Sequence, residues 1–316
     1  MMKVINIILP QKGEDFPFRA CVSSRYEMLR PIRPTDAAVF LLCTSGVIAY
    51  SAPQDQEAPV LAPSEDICSE YGEQQGWGAE LEPLLRQCVQ LIAASPLVAR
   101  RGIVMDAGAN SGEGSVQLAC DFPHHTVLAV EPTKVNYNHL NKITAAVPNV
   151  QTVWGGLSST LNVSLSYAAE IDMRNAGVGA QLTQDNAKAA AQIGLPMVHF
   201  PTHTVDDLVG THSSQGPLAF AHWDVEGYEH DVLEGARETI ARDRPVFTVE
   251  SFPLSKAEAH EKLMDLVASL GYTAHEVPES CGIPSDCRNF VVVPNGATNP
   301  CEALFAASAT AAIVSQ

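Results

Sequence analysis

The sequence lacks several patterns that mark common classes of protein. Its eight cysteines include no C-x-x-C pair, so neither a zinc ribbon nor a dithiol redox motif is supported. No G-x-G-x-x-G occurs, which argues against a dinucleotide-binding turn. Basic residues are scarce and scattered, with 19 Lys and Arg against 36 Asp and Glu, and we therefore expect no nucleic-acid partner.

The chain also lacks a comfortable membrane span, which needs roughly 20 predominantly apolar residues. The nearest candidate is 37–52, which follows four arginines and precedes an acidic, proline-containing stretch at 54–66. This arrangement is typical of a signal anchor, which would place the rest of the chain in the secretory pathway with a membrane association through 37–52. The alternative is a buried hairpin with strands at 39–42 and 47–50, compatible with a cytoplasmic protein.

Two further features depend on the compartment. Cys281 and Cys287 bracket a turn-rich loop, where they either close a disulfide or stay free thiols of a cytosolic protein. Asn162-Val163-Ser164 is a glycosylation sequon, which matters only if the protein enters the secretory pathway. The sequence alone leaves both alternatives open.

What the sequence does contain is a strand, a glycine-rich turn and a helix start within 102–119. A short apolar run ends in Asp106, and Gly108, Asn110 and Gly112 follow. Such a unit presents backbone N–H groups to a ligand, and its glycines allow close approach. A carboxylate there repels a pyrophosphate but suits a positively charged ligand such as S-adenosylmethionine (SAM), which carries ammonium and sulfonium groups. The alternative is a structural turn in which Asp106 caps the helix.

A second acid stands at the end of the next predicted strand, 126–131. Glu131 comes 25 residues after Asp106 and can accept both ribose hydroxyls of an adenosine. The alternative is a surface acid favoured by the dipole of the helix that begins after Pro132. Together the two acids favour a nucleoside-binding site.

A third group of acids follows a later predicted strand. Asp224 and Glu226 stand at its tip, and His222 shares a strand face with Asp224. Open α/β sheets bind ligands at this end, so we predict Glu226 or Asp224 as general base for an acceptor hydroxyl, with His222 as a further candidate. In the alternative, Asp224 orders the cofactor pocket and Glu226 caps the next helix. A divalent metal on these three side chains is chemically allowed, but the spacing matches no known cage and we predict no metal site.

The alternation of predicted strands and helices indicates a largely parallel sheet covered on both faces. We divide the chain into an N-terminal extension (1–66), a catalytic domain (67–296) and a tail (297–316). The alternation of predicted strands and helices breaks down at about 155–203, and we interpret this region as an insertion that carries substrate specificity. A single helix is predicted over 229–242.

Between about residues 102 and 294 the chain resembles the FkbM family of SAM-dependent methyltransferases. The matching segments are DAGANSGEGS (106–115), VEP (130–132), HTVDDL (203–208), DVEGYEHDVLEGA (224–236), RPVFTVE (244–250) and NFVVVP (289–294). The resemblance implies a Rossmann-like, seven-stranded, mostly parallel sheet with helices on both faces and the last strand antiparallel, as in class I methyltransferases. It also implies O-methylation of a hydroxyl on a carbohydrate or small-molecule natural-product acceptor.

The resemblance assigns residues to the cofactor position by position. The turn for the methionine part of SAM comprises Asp106, Gly108, Asn110 and Gly112, and the ribose acid is Glu131. One departure is His222, because the family usually places Lys two residues before the Asp of D-V-E-G. A catalytically altered, SAM-binding scaffold protein is therefore an alternative function, and a nucleotide-cofactor oxidoreductase is another, although its glycine-rich turn is missing.

Overall fold

The computed structural model describes residues 38–43, 46–51, 60–72, 83–168, 192, 197–281 and 286–314. They fall into two units, Met1–Gln56 and Glu57–Gln316. In the first, β1 (Ala38–Cys43) pairs antiparallel with β2 (Gly46–Ser51), so the structure has the strands of the hairpin alternative, extended by one residue at each end. Within the described ranges no helix combines the length and apolarity needed to cross a membrane.

The second unit contains the remaining strands and the helices. Its strands are β3 (Ile103–Ala107), β4 (Thr126–Glu131), β5 (Val150–Trp154), β6 (Gly156–Leu157), β7 (Ser164–Ala168), β8 (Met197–His203), β9 (Leu218–Trp223), β10 (Val246–Ser251), β11 (Tyr272–Cys281) and β12 (Cys287–Pro294). Its helices are α1 (Glu65–Gly72), α2 (Pro83–Ala93), α3 (Glu113–Asp121), α4 (Lys134–Ile143), α5 (Val205–Thr211), α6 (Glu229–Glu234), α7 (Arg237–Asp243), α8 (Ala257–Ser269) and α9 (Glu302–Val314).

Seven strands form one sheet in the order β11-β12-β10-β9-β3-β4-β5. Strands β3, β4, β5, β9 and β10 are parallel, and β12 pairs antiparallel with both β10 and β11. The predicted mostly parallel sheet with an antiparallel last strand is therefore confirmed. Along the chain, β4 and β5 are added in turn on one side of β3, and β9 then pairs with β3 on its other side. The order of strands thus reverses between β3 and β9, which is where open α/β sheets form their ligand crevice.

A smaller sheet occupies the region predicted as an insertion. Strand β8 pairs parallel with β6 and antiparallel with β7. Most of the chain between β7 and β8 lies outside the described residues.

Successive side chains of the central strands point to opposite faces of the sheet, and this divides the core into two layers. On one face Met105, Trp223 and Phe247 pack with apolar residues of α5, α6, α7 and α8. On the other face Val104 and Phe220 pack with α2, α3 and the start of α9. Helices therefore cover both faces, as predicted.

Three disulfides tie the second unit together. Cys68–Cys120 joins α1 to α3, Cys88–Cys301 joins α2 to the residue before α9, and Cys281–Cys287 closes the β11–β12 hairpin. The structure thus has the disulfide alternative for Cys281 and Cys287. The other two pairs were not predicted.

The single helix predicted over 229–242 is wrong, because the structure has α6 and α7 with a break at Gly235. A side chain at Gly235 would overlap the carbonyl oxygen of Ser158, so this backbone is pressed against another segment. The carboxylate of Asp206 then accepts the N–H groups of Glu238 and Thr239 at 3.2 and 2.8 Å. An acid that satisfies N–H groups in a first helical turn stabilises a new helix start.

Candidate functional site

Asp106 lies near the end of β3 with its carboxyl group buried. The hydroxyl of Ser115, in the first turn of α3, donates a hydrogen bond to its Oδ2. Burial raises the pKa of Asp106 above its ordinary value, and the Ser115 hydrogen bond opposes that shift. No basic side chain among the described residues contributes to that shift, which makes the site favourable for a cation.

The glycine-rich turn is pressed against the tip of β9. A side chain at Gly108, whose φ is +83°, would overlap the carbonyl oxygen of Asp224. The N–H groups of Gly108 and Ala109 donate to the carbonyl of Val130 at 3.0 and 3.1 Å, and the N–H of Asp224 donates to Ala107 at 3.1 Å. Only glycine fits at position 108, because the ends of β3, β4 and β9 meet there.

Two further turn residues adopt left-handed backbone. Asn110 has φ of +47° and Gly112 has φ of +106°, where a Cβ would press on Leu140 of α4. The N–H of Asn110 donates to Oε2 of Glu131 at 2.9 Å. The predicted turn residues and the predicted ribose acid are therefore in direct contact.

Glu131 is only 4% exposed, so the alternative of a surface acid is wrong. Its Oε1 accepts the N–H of Thr133 at 2.7 Å and also the Thr133 hydroxyl. Burial is the main reason that the pKa of Glu131 rises to about 7, and the nearby charge of Asp106 adds to the rise. Oε1 thus accepts two hydrogen bonds, whereas Oε2 accepts one, from Asn110, and keeps a lone pair for a further donor.

Glu226 stands at the D-V-E-G tip with an uncommon backbone. Its φ of +61° is left-handed, and Gly227 follows with φ of +104°. Glu229 holds this tip, because its Oε1 accepts the N–H groups of Val225 and Gly227 at 3.2 and 3.0 Å. Left-handed backbone at a non-glycine residue costs about 1–2 kcal/mol and persists where surrounding contacts enforce it.

Lys256 approaches the same tip from the start of α8. Its Nζ donates to the carbonyl of Glu226 at 3.1 Å and lies 4.3 Å from the ring centroid of Phe252. Its charge lowers the pKa of Glu229, although burial dominates and raises that pKa to about 7. Neither Glu229 nor Lys256 was predicted from the sequence to hold this tip. The acidic first turn of α6 was a signal for Glu229, whereas nothing in the sequence linked Lys256 to residue 226.

His222 points into the same layer as Asp106, since the two residues pair across β3 and β9. Its Nδ1 shares a hydrogen bond of 2.8 Å with the Thr248 hydroxyl on β10. Burial lowers the pKa of His222 to about 4, so the imidazole is neutral at pH 7. It is a weaker base than an ordinary histidine and cannot supply the charge of a lysine.

Glu250 ends β10 beside this tip. Burial and the charges of Asp224, Glu226 and Glu229 raise its pKa well above the ordinary value. Its Oε1 lies 2.7 Å from Sγ of Cys287. Among the described residues, Glu250, Cys281 and Cys287 are the only three possible metal ligands whose donor atoms lie within 4.8 Å of one another. The two cysteines share a disulfide, so they offer no thiolate, and His222, Asp224 and Glu226 form no such group.

Comparison with known proteins identifies the family. Residues 106–274 match the model of the methyltransferase FkbM domain. The match spans more than half of the chain, and this protein belongs to the FkbM methyltransferase family. A search of curated proteins found no significant match.

Several solved structures are similar at low sequence identity. The FkbM methyltransferase from Methylobacillus flagellatus KT is 14% identical with a TM-score of 0.43, covering 71% of this chain and 50% of its own. An O-methyltransferase from Bacillus cereus, in complex with SAH, is 12% identical with a TM-score of 0.42, covering 74% of this chain and 93% of its own. Aeropyrum pernix fibrillarin, with bound SAM, is 12% identical with a TM-score of 0.38, covering 66% of this chain and 74% of its own. The chain spans about half the length of the Methylobacillus protein.

Proposed function

We propose that this protein transfers the methyl group of SAM to a hydroxyl on a carbohydrate or small-molecule natural-product acceptor. The observation that carries the proposal is the pair of buried acids, Asp106 and Glu131, on either side of the Gly108 turn. Membership of a methyltransferase family supports the reaction class. The absence of a nucleic-acid acceptor stays a prediction from the charge of the chain.

The residues at this edge fit SAM in charge. Asp106 and Glu131 have raised pKa values, and the charge of Asp106 contributes to the rise at Glu131. A ligand with ammonium and sulfonium groups offsets that negative charge. Gly108 leaves no side chain between the turn and the tip of β9. In this proposal the turn residues hold the methionine part and Glu131 accepts the ribose hydroxyls.

SAM, when bound, supplies an electrophilic methyl group for in-line displacement by the acceptor oxygen. We assign the removal of the hydroxyl proton to the carboxylate of Glu226, with Asp224 as the second candidate. Glu229 and Lys256 hold the backbone of this tip, which fixes the position of that base. Positioning and general base catalysis are the two contributions that the chain makes to the rate.

A SAM-binding scaffold without turnover is the second candidate function. The observation that favours it is His222, a neutral buried imidazole at the position of the usual family lysine. His222→Lys restores the family residue. Increased methyl transfer in this variant would support the scaffold interpretation of the natural chain, whereas lost transfer would give the imidazole a role of its own.

The test of the proposal is a pair of variants, one of which should lower SAM affinity and the other turnover. Glu131→Ala removes charge-assisted bonds worth about 1.5–3 kcal/mol, so we expect SAM affinity to fall roughly 10- to 150-fold by calorimetry. Glu226→Gln keeps shape but removes basicity, so we expect turnover to fall about 10²–10⁴-fold with SAM affinity unchanged.

Turnover is measured as transfer from radiolabelled SAM across a panel of glycan and natural-product acceptors. Glu258→Gln, in an exposed ion pair with Lys262, is the matched control and should change neither quantity. Wild-type SAM affinity in Glu131→Ala would remove Glu131 from the site. Unchanged turnover in Glu226→Gln would assign the base to Asp224 or leave alignment alone as the source of the rate.

A further inference from the structure

Asn162 lies in a turn between β6 and β7 that Thr202 of β8 holds in place. Thr202 is fully buried, and its hydroxyl donates to the carbonyl of Thr160 at 2.8 Å. The same hydroxyl oxygen accepts the N–H of Val163 at 2.9 Å, while the Thr202 carbonyl accepts the N–H of Asn162 at 2.9 Å. The backbone of this turn is therefore fixed by its own contacts.

The Asn162 side chain is presented to solvent by this turn. Its φ of +59° is the left-handed conformation that asparagine tolerates better than most residues. Asn162 is exposed, and within the described part of the chain its side-chain amide makes no hydrogen bond. The amide nitrogen is thus accessible and not engaged by the fold.

Apolar side chains flank Asn162 on both sides. Leu161 and Val163 are each 39% exposed and belong to the six large hydrophobic residues exposed in the described ranges. A covalently attached hydrophilic group on Asn162 would shield both residues.

The cysteines supply an independent observation about the compartment. Six of the eight cysteines in the chain form three disulfides. Such bonds form and persist in oxidising compartments and are rare where thiols are kept reduced. Oxidising compartments of the secretory pathway are also where asparagine in N-x-S/T is glycosylated, and 162–164 is the only such sequon in this sequence.

We propose that the chain matures in an oxidising compartment of the secretory pathway and carries an N-linked oligosaccharide on Asn162. The donor is an oligosaccharide esterified to a lipid pyrophosphate, delivered by the transferase of that compartment. A bond forms between Nδ2 of Asn162 and the anomeric carbon of the sugar, and the bond from that carbon to the pyrophosphate oxygen breaks. The pyrophosphate leaves with the electron pair, and Nδ2 loses one proton. This inference does not depend on the methyl-transfer proposal.

The test is expression of the full chain in cultured eukaryotic cells, followed by intact mass spectrometry before and after peptide N-glycosidase. We expect a glycosidase-sensitive mass in the wild type and conversion of Asn162 to Asp in the peptide that contains it. Asn162→Gln and Ser164→Ala should lose that mass. Ser164→Thr keeps the sequon and should retain it, and Asn138→Gln, at an exposed asparagine outside any sequon, should also retain it.

Thiol alkylation without reduction tests the compartment in the same sample. We expect at most two alkylated cysteines, Cys21 and Cys43, because the other six are paired. An unglycosylated wild-type chain overturns the proposal, whatever its thiols show. Six or more alkylated cysteines in the folded chain also overturn it.

Discussion

The titration of His222 makes the stability of the fold depend on pH. Its pKa is about 4 in the folded protein and about 6.5 in an unfolded chain, so the unfolded state binds more protons between these values. The stabilising contribution is therefore complete above pH 6.5 and is lost as pH falls towards 4. From this residue alone we expect the free energy of unfolding to be about 2 kcal/mol lower at pH 5 than at pH 7.5.

Urea unfolding at the two pH values measures this difference. His222→Gln cannot titrate, so the loss between pH 7.5 and pH 5 should be smaller in the variant by about 2 kcal/mol. His139→Gln, at an exposed histidine of α4, is the matched control for the histidine-to-glutamine change itself. An equal pH dependence in wild type and His222→Gln would contradict the lowered pKa.

Gly108 is the residue on which the geometry of the site depends most. Gly108→Ala would place a methyl group against the carbonyl oxygen of Asp224 and force a left-handed backbone on alanine. We expect a loss of about 2–5 kcal/mol in the free energy of unfolding, together with weaker SAM binding. Gly210→Ala, in α5 with open space around it, should instead stabilise the protein by about 0.5–1 kcal/mol. Similar effects of the two substitutions in urea unfolding would disprove the close contact.

Residues at strand ends could be selected as candidates from the sequence. Asp106 and Glu131 each end an apolar run, and in the structure the N–H of Asn110 in the turn donates to Glu131. Lys256 was missed because its contact with Glu226 spans 30 residues and depends on how α8 packs. A sequence shows which residues follow a strand but not which side chain arrives there from a distant helix.

At the level of secondary structure, the start of α2 depends on an acid from another strand. Both oxygens of Glu279 on β11 accept N–H groups, from Leu84 at 3.0 Å and Leu85 at 2.7 Å. Glu279→Ala leaves both donors unpaired at a helix N-terminus, so we expect a loss of about 1–2 kcal/mol in the free energy of unfolding. Glu276→Ala removes only a surface ion pair with Arg288. It should lower the free energy of unfolding by under about 1 kcal/mol in the same urea measurement. Equal losses would show that Glu279 does not cap α2.

The inner strands of the sheet could be predicted because they are short, largely apolar runs. Strand β4 has the predicted bounds, since a buried parallel strand reads as a continuous apolar segment. The break between α6 and α7 could not be predicted, because it follows from the contact of Gly235 with Ser158, 77 residues earlier. Propensity and periodicity are local, whereas this break results from packing.

At the scale of the whole molecule, the disulfides differ in how much chain they close. Cys88–Cys301 spans 213 residues and Cys281–Cys287 spans six. Chain entropy assigns about 5 kcal/mol to the longer loop and about 2 kcal/mol to the shorter one. We therefore expect Cys88→Ala with Cys301→Ala to lower the free energy of unfolding more than Cys281→Ala with Cys287→Ala.

Urea unfolding of the two double variants, without reductant, gives both losses directly. All four cysteines are buried, so the small cavity that alanine leaves is similar in each pair. A larger loss for the Cys281 and Cys287 pair would show that the hairpin bond stabilises the native state through its contact with Glu250 and not mainly through the unfolded chain.

The long span of Cys88–Cys301 also has a consequence for synthesis on the ribosome. At 5–20 residues per second, Cys301 emerges roughly 10–40 s after Cys88, whereas Cys120 emerges much sooner. During that interval the nascent chain exposes the thiol of Cys88 to Cys68 and Cys120, which belong to a different native pair. Any bond formed early by Cys88 has to be broken by thiol–disulfide exchange before the last helix can join the domain. We therefore expect the yield of correctly paired protein to rise with the supply of a disulfide isomerase in the expressing cell.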